Sequence, residues 1–192
     1  MTRPWVERHR EEILATRIFR LEKQRLISPR TGVEHDFYVL NFPDWCNIVP
    51  LTDDNDVVMV RQRRHGIGEE TLELPGGMVD PGDASPLEAA RRELLEETGY
   101  GVRTIEPIGV IAPNPAIQNN RCHSFLARGA LPAGQAAMDH GEDIEVVQVP
   151  LAEIPARIKN GEIIRCFSRR KMRVCRTSSR WRSSQGRVIR RL

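Results

Sequence analysis

Three glutamates sit within five residues of one short stretch, at Glu93, Glu96 and Glu97. On a helix of 3.6 residues per turn they share about 100° of arc. Carboxylates that close repel one another unless a cation answers them. Arg92 can pair with Glu96 at i, i+4, but one arginine does not neutralise three acids. A glutamate cluster alone reads as a solvated helix face, and the preceding loop changes that reading. Leu74-Pro75-Gly76-Gly77-Met78-Val79-Asp80-Pro81-Gly82-Asp83 carries a glycine pair where backbone can approach a ligand closely. Carboxylates and a backbone carbonyl are the ligands that a hard divalent cation such as Mg²⁺ takes. Phosphates are then the natural substrate groups, with the metal bridging them.

The elements that must position these groups can be read from the same residues. Ser85 is a good N-cap, Pro86 suits the first helical position and Glu88 completes a capping box. Gly99 terminates the helix, so the spacing predicts a helix over 86–98 with Leu87, Ala90, Leu94 and Thr98 toward the core. Glu93 and Glu97 then stack one turn apart, a gap that one cation can span, while Glu96 lies to the Arg92 side. Strand-like runs at 16–26 and 33–42 flank the turn 28–32 and predict a hairpin. Runs at 47–52 and 56–62 around Asp53-Asp54-Asn55 predict a second. Further strands are expected at 71–75, 105–112, 121–127 and 144–150, a loop at 128–141 and a helix at 151–159.

The stretch Gly77–Tyr100, GMVDPGDASPLEAARRELLEETGY, resembles the signature of the Nudix hydrolases, Gly-x5-Glu-x7-Arg-Glu-U-x-Glu-Glu-x-Gly-U with U a bulky aliphatic. Gly77 takes the first position. Arg92, Glu93, Leu94, Glu96, Glu97 and Gly99 take the second half. Asp83 stands in place of the first glutamate, eight residues rather than seven separate it from Arg92, and Tyr100 replaces the final aliphatic. The extra residue falls before Ser85, outside the helix. Val57–Gly77 is similar to the strand–loop–strand approach of the ADP-ribose pyrophosphatase branch, and 112–127 to the substrate-side loop of enzymes acting on nucleoside diphosphate sugars.

The resemblance implies an α/β fold, the Nudix α/β/α sandwich with a mixed β-sheet and an N-terminal antiparallel β extension. It divides the chain into a β extension at 1–44 that dimerises, a Nudix domain at 45–160 and a tail at 161–192. The implied activity is metal-dependent hydrolysis of the diphosphate of ADP-ribose or a nucleoside diphosphate sugar, giving a nucleoside monophosphate and a sugar phosphate. A nucleoside triphosphate or dinucleoside polyphosphate is the rival substrate. Glu93, Glu97 and the Gly76 carbonyl would bind Mg²⁺, or Mn²⁺ as the alternative, with Glu96 a ligand directly or through water. Arg92 would orient Glu96 or the loop. Arg64 would contact phosphate, and Glu73 and Gly77 would line the substrate. Glu142 matches a late-loop acid that either ligates metal or acts as base, with His140 and Asp139 as rival bases; it reads equally as an exposed loop acid. Trp45 reads either as a stacking partner for a nucleobase or as a core or interface residue. His123 reads as a structural histidine.

Composition bounds the rest. Residues 161–192 carry eleven basic residues against one acid, so the net charge of +3 hides an acidic body of 18 basic and 25 acidic residues. The tail, with Phe167 and Trp181 among its arginines, reads either as an arm for nucleic acid or as a poorly ordered extension. A nucleic-acid-binding protein is therefore the alternative of another class. Cys46, Cys122, Cys166 and Cys175 lie far apart without CxxC spacing, which speaks against a disulfide framework or a zinc site. No long apolar run suggests a membrane span, residues 1–15 lack the apolar stretch of a signal peptide, and the expectation is a cytoplasmic homodimer.

Overall fold

The computed structural model describes residues 3–138, 141 and 143–164. Its first three strands, β1 (Val6–Ala15), β2 (Arg20–Ile27) and β3 (Glu34–Asn41), form an antiparallel sheet of their own. The expected hairpin at 28–32 joins β2 to β3, with Gly32 donating its N–H to the Ser28 carbonyl at 2.9 Å. Thr16–Phe19, expected to begin a strand, instead forms a turn in which the Thr16 hydroxyl oxygen accepts the Phe19 N–H at 3.0 Å. The strand before it, β1, was not legible in the sequence. All ten of its residues are exposed, so it lacks the alternation of apolar and polar residues that marks a half-buried strand.

The remaining elements are β4 (Trp45–Leu51), β5 (Asp56–Arg64), β6 (Glu69–Glu73), α1 (Pro86–Thr98), β7 (Tyr100–Gly101), β8 (Thr104–Ile111), β9 (Cys122–Arg128), β10 (Leu131–Pro132), β11 (Ile144–Pro150) and α2 (Ile154–Asn160). The main sheet runs β11-β5-β4-β9-β8, with β6 on β5. It is mixed, because β4 and β9 are parallel and the other pairs antiparallel. The span 128–141, expected to be a loop, contributes β10, which pairs with β7. At the second helix, 151–153 is a turn and α2 begins at Ile154.

β4 and β5 are not the full hairpin expected, since they pair only at Leu51 and Val57. Beyond that point they splay. Backbone N–H groups left open there need partners, and the glycine loop supplies them: Cys46 donates to the Gly77 carbonyl at 2.9 Å and Ile48 to the Pro75 carbonyl at 3.0 Å. The chain thus pairs with β5 through Glu73 and with β4 immediately after it. This crossing delivers the loop to the end of α1.

Apolar residues fill both faces of the sheet. Met59, Leu72 and Val149 pack with Ile154 of α2. Cys46, Ile48 and Phe125 pack with Ala89, Ala90 and Leu94 of α1. The sheet therefore lies between the two helices, the α/β/α arrangement expected. Among the described residues no helix is long and apolar enough to cross a membrane.

Candidate active site

Helix α1 starts and ends where its sequence requires. The Ser85 hydroxyl accepts the Glu88 N–H at 3.3 Å, and Gly99, at φ 72°, closes the last turn by donating to the Leu95 carbonyl. Ala89, Ala90, Leu94 and Thr98 are buried against the sheet, which fixes the rotation of the helix. That rotation turns Glu93 and Glu97 toward the glycine loop rather than into solvent. Glu97 is only 4% exposed, and its Oε2 accepts the Gly76 N–H at 2.9 Å. Glu93 lies so close to Gly77 that a β-carbon there would sit 2.6 Å from its carboxyl carbon.

Arg92 holds the surrounding charges together. Its Nη1 donates to Glu93 at 3.0 Å and to Glu96 at 2.9 Å. Its Nε and Nη2 donate to the two oxygens of Asp83 at 3.1 and 3.0 Å, and Nη2 also reaches the Met78 carbonyl at 3.2 Å. The Asp83 bidentate pair and the Glu96 bond keep this guanidinium charged well above its ordinary value. The same pair holds the Asp83 carboxyl below the usual aspartate range. The Arg92–Glu96 pair and an orienting role for Arg92 are legible in the sequence. Not legible are the bond from Arg92 to Glu93 and the part of Asp83, which departs from the signature, as its main partner. The only signal was the basic residue nine positions on.

The donor set suits a hard cation: three carboxylates, one backbone carbonyl and no soft ligand. The nearby Cys46 thiol is pushed up to about 11 by burial, so it stays protonated. Gly77 provides the space that a β-carbon would fill, and the Glu93 carboxylate lies in it. Among the described residues no three acidic, histidine or cysteine side chains converge on one point; Arg92 Nη1 binds both Glu93 and Glu96. By the chemistry of its donors, the set fits a hard divalent cation.

A cleft of about 720 Å³ opens beside the loop, lined by Trp45, Gln62, Arg64, Thr71, Glu73 and Asp143 among others. Of the residues expected to meet substrate it gathers Trp45, Arg64 and Glu73, while Gly77 stays with the carboxylates. The carboxylates of α1 are not part of its lining; residues 74–78 connect the two. Arg64 and Glu73 form a bidentate pair, Nε to Oε1 and Nη2 to Oε2, both at 2.8 Å. Trp45 is half-buried and bridges to Met78. Gly141 also lines the cleft, but Asp139, His140 and Glu142 themselves, like the tail 165–192, lie outside the described residues. His123, expected to be structural, meets Asp44 through its Nε2 at 3.0 Å. A second hollow of about 850 Å³, by Arg3, Trp5 and His35 on the N-terminal sheet, contains none of these groups.

A family model described as the NUDIX domain matches residues 45–170. An ADP-ribose pyrophosphatase of Mycobacterium tuberculosis is 30% identical over 148 residues, covering 77% of this chain and 71% of that protein. A methanol dehydrogenase activator of Bacillus methanolicus is 28% identical over 154 residues, covering 80% and 82%. A crystal structure of an ADP compounds hydrolase superposes with a TM-score of 0.73 at 25% sequence identity, over 83% of this chain and 85% of that one.

Proposed function

Since the chain belongs to the Nudix hydrolase family and is a hydrolase of pyrophosphate bonds, we propose that it cleaves the diphosphate of ADP-ribose or a closely related nucleoside diphosphate sugar. The observation that carries this reading is the placement of Glu97 and Glu93 against Gly76 and Gly77, beside a cleft holding Arg64, Glu73 and Trp45. Water bonds to one phosphorus, the bridging P–O bond breaks, and the products are a nucleoside monophosphate, a sugar phosphate and a proton.

Glu93, Glu96, Glu97 and the Gly76 carbonyl would hold Mg²⁺. A cation held there would supply charge neutralisation at the phosphoryl oxygens and a more acidic water. The protein's own residues do the rest. The Gly76 N–H fixes the Glu97 carboxylate. Arg92 ties α1 to the loop through Asp83 and the Met78 carbonyl, and orients Glu96. Arg64 meets a phosphate of the substrate, Trp45 offers its indole face to the nucleobase, and Glu142 accepts the proton of the attacking water. The N-terminal sheet pairs with a second copy.

A panel of nucleoside diphosphate sugars, triphosphates and dinucleoside polyphosphates, run with Mg²⁺ and with Mn²⁺ and read by product identity, tests this reading. ADP-ribose or a relative is expected to be the best substrate. A triphosphate that releases pyrophosphate as the best substrate overturns it.

A further inference from the structure

The Arg64–Glu73 pair has a third member that the sequence does not announce. In the β5–β6 ladder Gln62 faces Thr71 and Val60 faces Glu73. By strand alternation Gln62, Arg64, Thr71 and Glu73 therefore project to one side. Thr71 is 3% exposed and Glu73 2% exposed. The Thr71 Oγ1 lies 2.6 Å from Glu73 Oε1 and 3.3 Å from the Gln62 carbonyl oxygen. A hydroxyl has one proton, and both neighbours can only accept it. The shorter contact, to a carboxylate, is the stronger of the two, so Thr71 donates to Glu73. Arg64 Nε donates to that same Oε1 at 2.8 Å.

A buried carboxylate thus has its rotamer fixed from behind by a hydroxyl, and both its oxygens hold a guanidinium from the front. All three line the cleft, but Arg64 is its one partly exposed member, its side chain 32% accessible against 3% for that of Glu73. A free arginine side chain samples many rotamers, and a fixed carboxylate template removes much of that freedom before substrate arrives. We propose that Thr71 is a positioning residue for substrate binding: its hydroxyl locks Glu73, and through Glu73 sets the angle at which Arg64 meets the diphosphate. This inference rests on reading Arg64 as substrate-facing. It adds a residue that acts through Glu73 and Arg64.

The test compares Thr71→Val, Thr71→Ser, Arg64→Ala and the double variant Thr71→Val/Arg64→Ala. Each is assayed on the best substrate of the panel at saturating Mg²⁺, with the thermal midpoint as a check on folding. Thr71→Val keeps shape and removes the proton, so KM should rise about tenfold, the loss of one charge-assisted hydrogen bond, while kcat stays within about twofold. Thr71→Ser keeps the hydroxyl and should restore KM. In the Arg64→Ala background Thr71→Val should add nothing. If Thr71→Val does not fold, Thr71→Ala carries the same expectation. A raised KM for Arg64→Ala with an unchanged KM for Thr71→Val overturns this inference alone. So does an equal effect of Thr71→Val with and without Arg64, or failure of serine to rescue. A wild-type KM for Arg64→Ala overturns the reading of the cleft, and this inference with it.

Discussion

The Glu97 carboxylate and the Gly76 N–H are 2.9 Å apart, and the carboxylate is almost wholly buried. An acid in the last turn of α1 is thereby fixed to a loop residue packed directly against the β4 backbone. Gly76 has φ 150°, and a β-carbon on it would collide with the Cys46 carbonyl and lie 2.7 Å from the Asn47 α-carbon. The two glycines of the pair have different duties, and substitution should separate them.

Gly76→Ala places a β-carbon against backbone that cannot yield. The expected cost is about 3 kcal/mol of stability, read from the midpoint of chemical denaturation. Gly77→Ala presses on the end of the Glu93 side chain, which can move. Its stability should change by less than about 1 kcal/mol, while the Mg²⁺ concentration needed for half-maximal activity rises. Equal loss of stability in both variants would contradict this division.

Asp83 and Arg92 make a pH-dependent clamp between loop and helix. Arg92's hydrogen bonds hold the Asp83 carboxyl below its ordinary value in the folded protein. A depressed carboxylate contributes stability that is present in full above the unfolded value, about 4, and is lost as pH falls through the lower folded value. Denaturation measured between pH 6 and pH 3 should therefore show a steeper loss of stability for the wild type than for Asp83→Asn. Parallel curves would contradict the clamp.

Most of this site was legible because its signals are local. Ser85, Pro86 and Gly99 punctuate α1, and the 93/96/97 spacing places the carboxylates whatever the sheet does. The partners that depend on long-range packing were not legible. Nothing in the sequence says that β4 leaves β5 after one pair, yet that splay is what lets residues 75–77 pair with β4 and brings Gly76 to Glu97. Thr71 was invisible for the same reason, because its role arises only when strand register sets it behind Glu73. Strand β1 was missed because its charged residues are exposed on both faces, so burial imposes no pattern.

The N-terminal sheet exposes Trp5, Val6, Ile13, Leu14, Phe37 and Tyr38, and Trp5 packs edge-on to Phe37 with ring centres 5.2 Å apart. An exposed apolar surface of this kind is expected to be covered by a partner. Sedimentation at micromolar concentration should show a dimer for the full chain and a monomer after removal of residues 1–44. A monomeric full chain would remove the role proposed for these strands.

The most direct measurement is turnover of ADP-ribose by wild type, Glu97→Gln and Glu96→Gln side by side at saturating Mg²⁺, with products identified. Glutamine keeps the shape of the side chain and can still accept the Gly76 hydrogen bond, but it lacks the charge that a hard cation needs. Wild type should release a nucleoside monophosphate and a sugar phosphate. Glu97→Gln should lose at least about two orders of magnitude in turnover, roughly 2.7 kcal/mol of barrier, and Glu96→Gln should lose less. Retention of more than about a tenth of wild-type turnover by Glu97→Gln would contradict the assignment of this carboxylate, and with it the proposed site.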